Sequence, residues 1–156
     1  MDAPDRPSPI ADARFVREVD ADARAVAGVR NQFAQWIRSH LVLDEERVSD
    51  IVLAVNEALA NSAEFAYVTM AEPGTVSVEA VHSAVTGSLV VVIADHGVWY
   101  DEDPTERSRT RGRGISLMET LSDDVTFERL ADGTRVRLLF ADCAAVPKLP
   151  GALSEA

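Results

Sequence analysis

Glu57-Ala58-Leu59-Ala60-Asn61 places a carboxylate and a carboxamide four positions apart inside a run of small apolar residues, and its reading decides the rest. Four-residue spacing makes the two polar side chains neighbours on one helical face. The helix that carries them is predicted from Asp44 to Tyr67, where Val48, Ile51, Val52, Val55, Leu59 and Ser62 recur at three- and four-residue steps. Asp44 suits the N-cap, and Glu45 and Glu46 suit a first turn where negative charge meets the positive end of the helix dipole. Glu57 and Asn61 are expected nearly opposite the stripe centred on Val48, Val55 and Leu59, a position that any solvated helix face would share. Ala54, Ala58, Ala60 and Ala63 around the pair suggest room for a bulky ligand against that face.

Two later stretches supply complementary chemistry. Leu89 to Ala94 is nearly continuous in apolar and β-branched residues, the pattern of a central strand covered by helices on at least one face, and Asp95-His96-Gly97 follows at its exit. An Asp-X-Gly on its own is more often a plain turn. Arg111-Gly112-Arg113-Gly114 precedes Ile115, Leu117, Met118 and Leu121, which suggest a short helix. Glycines and free N–H groups at a helix start, assisted by arginine, can cradle phosphate. Arg107, Arg109, Arg111 and Arg113 concentrate positive charge here, although Asp101, Glu102, Asp103 and Glu106 can equally neutralise it.

Working outward, Arg14 to Val19 is expected as a strand and Ala21 to Leu41 as an amphipathic helix with Val26, Val29, Phe33, Ile37 and Leu41 inward. Pro73-Gly74 breaks the chain before an alternating strand containing Val76, Val78 and Ala80, and Gly87 separates that strand from the next. Residues 99–112 form a polar loop. Val125 to Leu130 and Thr134 to Phe140, joined through Ala131-Asp132-Gly133, read as a closing antiparallel hairpin. The fold class is therefore α+β, a two-layer sandwich of helices on one mixed or antiparallel sheet. Residues 1–11 and 142–156, rich in proline and charge, are expected as flexible tails flanking one domain at 12–141.

Composition removes several function classes. The 156-residue chain carries 26 acidic and 15 basic residues, a net charge of −11 that disfavours direct contact with nucleic acid or an anionic membrane. One cysteine, Cys143, forms no internal disulfide, and Met1 is followed by Asp and Pro where a secretory signal needs an apolar run, so a cytoplasmic location is expected. Lys148 is the sole lysine, which excludes P-loop and protein-kinase lysine mechanisms. His40, His82 and His96 lack metal-ligand spacing.

In this order the Glu57–Asn61, Asp95–Gly97 and Gly112–Gly114 stretches resemble the ATPase fold shared by gyrase, heat-shock chaperones, histidine kinases and mismatch-repair proteins (the GHKL superfamily, or Bergerat fold). The resemblance is closest to the small bacterial branch of anti-sigma-factor serine/threonine kinases and spans roughly residues 13–141. It implies ATP and Mg²⁺ as cofactors. Glu57 would position or deprotonate the attacking group, and Asn61 would ligate Mg²⁺. Asp95 would accept a hydrogen bond from the adenine amine, with Gly97 permitting close approach and Thr134 helping to hold the base. Arg111, Gly112, Arg113 and Gly114 would receive the phosphates. The implied function is transfer of the ATP γ-phosphate to a Ser or Thr of an antagonist (anti-anti-sigma) protein, alternating with sequestration of a sigma factor, in a homodimer that uses the N-terminal strand edge. Two departures, Phe65 where many of these kinases have histidine and Trp99 where many relatives have glycine, motivate a non-catalytic ATP-binding switch as the alternative. A third reading is a protein-interaction domain with a degenerate pocket.

Overall fold

A computed structural model describes residues 12–65, 74–97 and 115–147, with the backbone alone at residue 65. The elements run β1 (Ala13–Asp20), α1 (Ala23–His40), β2 (Leu41–Val42), α2 (Glu45–Phe65), β3 (Thr75–His82), β4 (Leu89–Asp95), α3 (residues 115–121), β5 (Asp124–Leu130), β6 (Gly133–Phe140) and β7 (Ala144–Ala145). Strands β1, β3, β4, β6 and β5 form one sheet in that order, and all its pairings are antiparallel. The fold is the expected α+β sandwich, with a sheet that is wholly antiparallel among the described residues.

Local chemistry starts both long helices. The Asp22 carboxylate accepts from the Ala25 N–H at 2.8 Å, and the Asp44 carboxylate accepts from the Arg47 N–H at 2.8 Å, each satisfying a donor that the first helical turn leaves open. The α1 face made by Val26, Val29, Phe33 and Ile37 and the α2 face made by Val48, Ile51, Val55 and Leu59 are buried against the sheet. There they meet Val76, Val78 and Ala80 of β3, Leu89, Val91 and Ile93 of β4, and Val136, Leu138 and Phe140 of β6. Each large apolar side chain so covered contributes about 1.5–3 kcal/mol. Phe15 meets Phe33 edge-on at 5.6 Å and Trp36 at 5.7 Å, fixing α1 to the β1 side of the sheet.

The buried arc of α2 is wider than the stripe read from sequence. It includes Ala54 and Ala58, both fully buried, so these alanines belong to the core and do not make room beside Glu57 and Asn61. Ala60 and Ala63 face α1 across a groove of about 450 Å³ that Asp22, Ala23, Arg30 and Asn56 also line. Ala54 and Ala58 thus serve close packing on the sheet, whereas Ala60 and Ala63 line the groove toward α1.

The boundary expected after residue 141 also moves. β7 pairs with β2, Val146 N–H donates to the His40 carbonyl at 2.9 Å, and Cys143 is fully buried. Cys143 N–H donates to the Gly87 carbonyl at 2.8 Å, and its own carbonyl accepts from His82 Nε2 at 2.6 Å. This segment is therefore a folded clasp through residue 147. The expected tails at 1–11 and 148–156 lie outside the described residues.

Candidate functional site

Two independent contacts fix the direction of α2 over the sheet. In its first turn, Arg47 donates to the Ala141 carbonyl at 3.0 Å and lies 5.8 Å from the Phe140 ring, and Phe140 pairs with Leu89 at the start of β4. Near its other end, Ala63 and Glu64 line the groove with Asp22 and Ala23 at the start of α1. Ala21, just before α1, donates to Gly74 at 3.0 Å, and Val76, two residues on, pairs with Asp95. A helix of 21 residues spans about 31 Å, against roughly 23 Å for the seven residues of β4. The C-terminal half of α2, with Glu57 and Asn61, thus reaches the Asp95 end of the sheet.

The side of α2 that bears the pair is equally determined. Asn56, Ala60, Ala63 and Glu64 turn toward α1, which packs on β1. Glu57 and Asn61 follow next around the helix, on the flank away from α1, and α2 itself lies over β3, β4 and β6. That flank faces the β6 half of the sheet. Both residues are half-buried, and neither makes a side-chain hydrogen bond or ion pair among the described residues.

Opposite them, the Asp95 carboxylate is held from two directions. Gly97 N–H donates to Oδ1 at 3.0 Å, closing a tight turn, and the Thr134 hydroxyl donates to Oδ2 at 2.6 Å. Thr134 is the direct cross-strand partner of Asp95 in the β4–β6 register. Asp95 is 3% exposed, and a buried carboxylate with both oxygens engaged is rigidly aimed. Two bonds do not exhaust the roughly four acceptor positions of a carboxylate, so it retains capacity for an incoming N–H.

Gly133 explains how the strands come this close. A Cβ added there would stand 1.9 Å from the Asp95 carbonyl oxygen, and its φ of +154° lies where side chains are disfavoured. In the sequence Gly133 is only a hairpin residue. The missing signal was cross-strand register, which aligns Gly133 and Thr134 with the end of β4.

Of the expected site residues, the fold assembles Asp95, Gly97 and Thr134 by direct hydrogen bonds and brings Glu57 and Asn61 to the same end of the sheet. Arg111, Gly112, Arg113 and Gly114 lie outside the described residues, as do the Phe65 side chain, Trp99 and the 99–112 loop. Met118 of α3 is fully buried in the core, so the chain beyond the arginine-glycine stretch returns to the same sheet face. No group of three or more His, Cys, Asp or Glu side chains placed to hold a metal ion occurs among the described residues.

The family model described as Histidine kinase-like ATPase domain matches residues 19–140. The chain belongs to that family. The GHKL resemblance read from Glu57, Asn61, Asp95 and the glycine stretches agrees with it, and domains of this family generally bind ATP with Mg²⁺. The fold is also similar to a crystal structure of the RsbU and RsbW domains of Rv1364c from Mycobacterium tuberculosis, with a TM-score of 0.65 and 22% identity over 88% of this chain. The chain spans 34% of the length of that one.

The residues of this histidine-kinase-like domain fit the implied cofactor at each described position. A buried, doubly held acceptor suits a purine amine, and among the described residues a half-buried amide with no partner suits Mg²⁺ and a half-buried carboxylate with no ion pair suits a base.

Proposed function

We propose that this chain is an ATP-binding regulatory protein serine/threonine kinase of the anti-sigma-factor type. The reading is carried by one observation: the Asp95 carboxylate, fixed by Gly97 and Thr134, stands at the end of the sheet reached by Glu57 and Asn61. Family membership and the RsbW-like fold support it.

Asp95 accepts one hydrogen of the adenine amine, and the Thr134 hydroxyl keeps that carboxylate oriented. The Asn61 side-chain oxygen would be the protein ligand to Mg²⁺, and Arg111, Gly112, Arg113 and Gly114 would receive the phosphates. Bound Mg·ATP supplies the γ-phosphoryl group. Glu57 would take the proton of the incoming Ser or Thr hydroxyl of the antagonist protein as that oxygen bonds to the γ-phosphorus and the bond to the β,γ-bridging oxygen breaks, releasing ADP, a role that contributes on the order of 10²–10⁴ in rate. The second partner is a sigma factor, held when the antagonist is phosphorylated. A cytoplasmic location suits both partners, and no described helix is long and apolar enough to cross a membrane. β1, at an edge of the sheet, offers the strand for a homodimer.

The test uses labelled ATP, Mg²⁺ and candidate antagonist proteins. Glu57→Gln is expected to keep nucleotide binding and to lose transfer by about 10²-fold or more. Asp95→Asn is expected to weaken nucleotide binding at least about tenfold, through loss of a charged hydrogen bond. Equal transfer by wild type and Glu57→Gln would remove Glu57 from catalysis. Binding without transfer in wild type would favour the non-catalytic switch that Phe65 motivates.

A further inference from the structure

Among the described residues, the helix-covered face of the sheet is incompletely covered at its β5 edge. Cross-strand register places Asp95, Thr134 and Arg129 in one row and Ile93, Val136 and Phe127 in the next. Ile93 is fully buried and Val136 nearly so, whereas Phe127 on this same face remains 38% exposed. The space above it is a recess of about 260 Å³ between the start of α3 and the β5–β6 hairpin, walled by Ile115, Phe127, Val136 and Thr134, with Glu128, Arg129 and Arg135 completing its lining. Thr134 is shared between this recess and the carboxylate site, because its hydroxyl is the group bonded to Asp95. A rigid apolar cavity of about 150 Å³ is enough to bind benzene, so the recess has the capacity for a substituted ring.

Chemistry connects the two spaces. A purine amine that gives one hydrogen to Asp95 has a second hydrogen left, and a substituent replacing it need not disturb the first bond. We infer that the recess beside Thr134 is an apolar side pocket of the base site, open to a ring-sized substituent on the amine of an adenine nucleotide. This rests on the reading of Asp95 as the base-binding residue. Phe127 is its specificity-determining wall: the exposed ring offers an aromatic face to the substituent and has no part in holding unsubstituted ATP. Burying a benzyl group against Phe127, Val136 and Ile115 yields tighter binding than ATP itself.

The experiment measures equilibrium binding of Mg·ATP and of Mg·N6-benzyl-ATP by calorimetry, to wild type, Phe127→Ala and Phe127→Trp. Wild type is expected to bind the benzyl analogue about three- to tenfold more tightly than ATP. Phe127→Ala is expected to erase that preference by removing the wall, and Phe127→Trp to reverse it by filling the recess, while ATP affinity stays within about twofold in both. The partial exposure of Phe127 makes the alanine variant tolerable to the fold, and the tryptophan variant adds apolar area and tests the same pocket without opening a cavity. Wild type that binds ATP but rejects the analogue, or a preference indifferent to both substitutions, overturns the side pocket and leaves the ATP reading standing. Failure of both nucleotides to bind overturns the two together.

Discussion

At the residue scale, the site is organised by how little freedom Asp95 has. Its carboxylate is pinned by a main-chain N–H on one side and a hydroxyl on the other, and its main chain is pressed against Gly133. Gly133→Ala must push two backbones apart at a φ that penalises a side chain. Overpacking and strain together are expected to cost about 3 kcal/mol in urea unfolding, and the same variant should lose nucleotide affinity because Asp95 moves. A wild-type urea midpoint for Gly133→Ala would mean the two strands do not approach as described. The Asp95–Gly97 turn was legible in the sequence because its polar residues are adjacent in the chain. The resemblance implies only that Thr134 helps to hold the base; its bond to Asp95 joins residues 39 positions apart and is visible only in the structure.

At the scale of elements, the clasp formed by residues 142–147 stands out because its sequence has the composition of a loose tail. Pro147 and the small residues before it give no periodicity, and a two-residue strand is too short to leave any. What holds it is tertiary: the β2 pairing, the His40 and Gly87 carbonyls, the His82 ring and the buried Cys143 thiol. A chain ending at Ala141 is expected to lose about 2–4 kcal/mol, summing hydrogen bonds of roughly 1 kcal/mol each and the lost burial. Burial pushes the Cys143 thiol above its ordinary range, and the neighbouring Arg47 guanidinium only partly offsets this. The folded state therefore holds the proton more tightly than the unfolded chain, and stability should fall as pH rises above the ordinary thiol value of about 8.5. That contribution is fully present below the unfolded thiol value and is lost as pH rises through the folded one. Unfolding midpoints of wild type and Cys143→Ala at pH 7.5 and 9.5 check this, with the alanine variant expected to be flatter. An equal decline in both would assign the pH dependence to another group.

At the scale of the whole molecule, binding at one end of the sheet should stabilise everything, because α2 runs from the clasp at Arg47 to the site at Asn61 and packs on three strands between. Mg·ATP at about 100 times its dissociation constant would add about 2.7 kcal/mol, a rise of roughly 5–10 °C in melting temperature for a domain of this size. The rise should shrink when EDTA removes Mg²⁺, through Asn61, and fall to about half or less in Asp95→Asn, as tenfold weaker binding requires. An undiminished rise in Asp95→Asn would place the nucleotide elsewhere. Most of this architecture could be read in advance. Helical periodicity in α1 and α2, alternation in β3, the apolar run of β4 and the closing hairpin each follow from side-chain spacing within one element, and together with the ordered Glu57, Asn61 and Asp95 motifs they fixed the fold class and the candidate chemistry. Only the tertiary structure decided which flank of α2 is buried, that Ala54 and Ala58 belong to the core, that Gly133 is a strand contact and that residues 142–147 are folded. Each of these depends on which surfaces meet, and apposition across a sheet or between helices is set by packing in three dimensions that leaves no regular spacing along the chain.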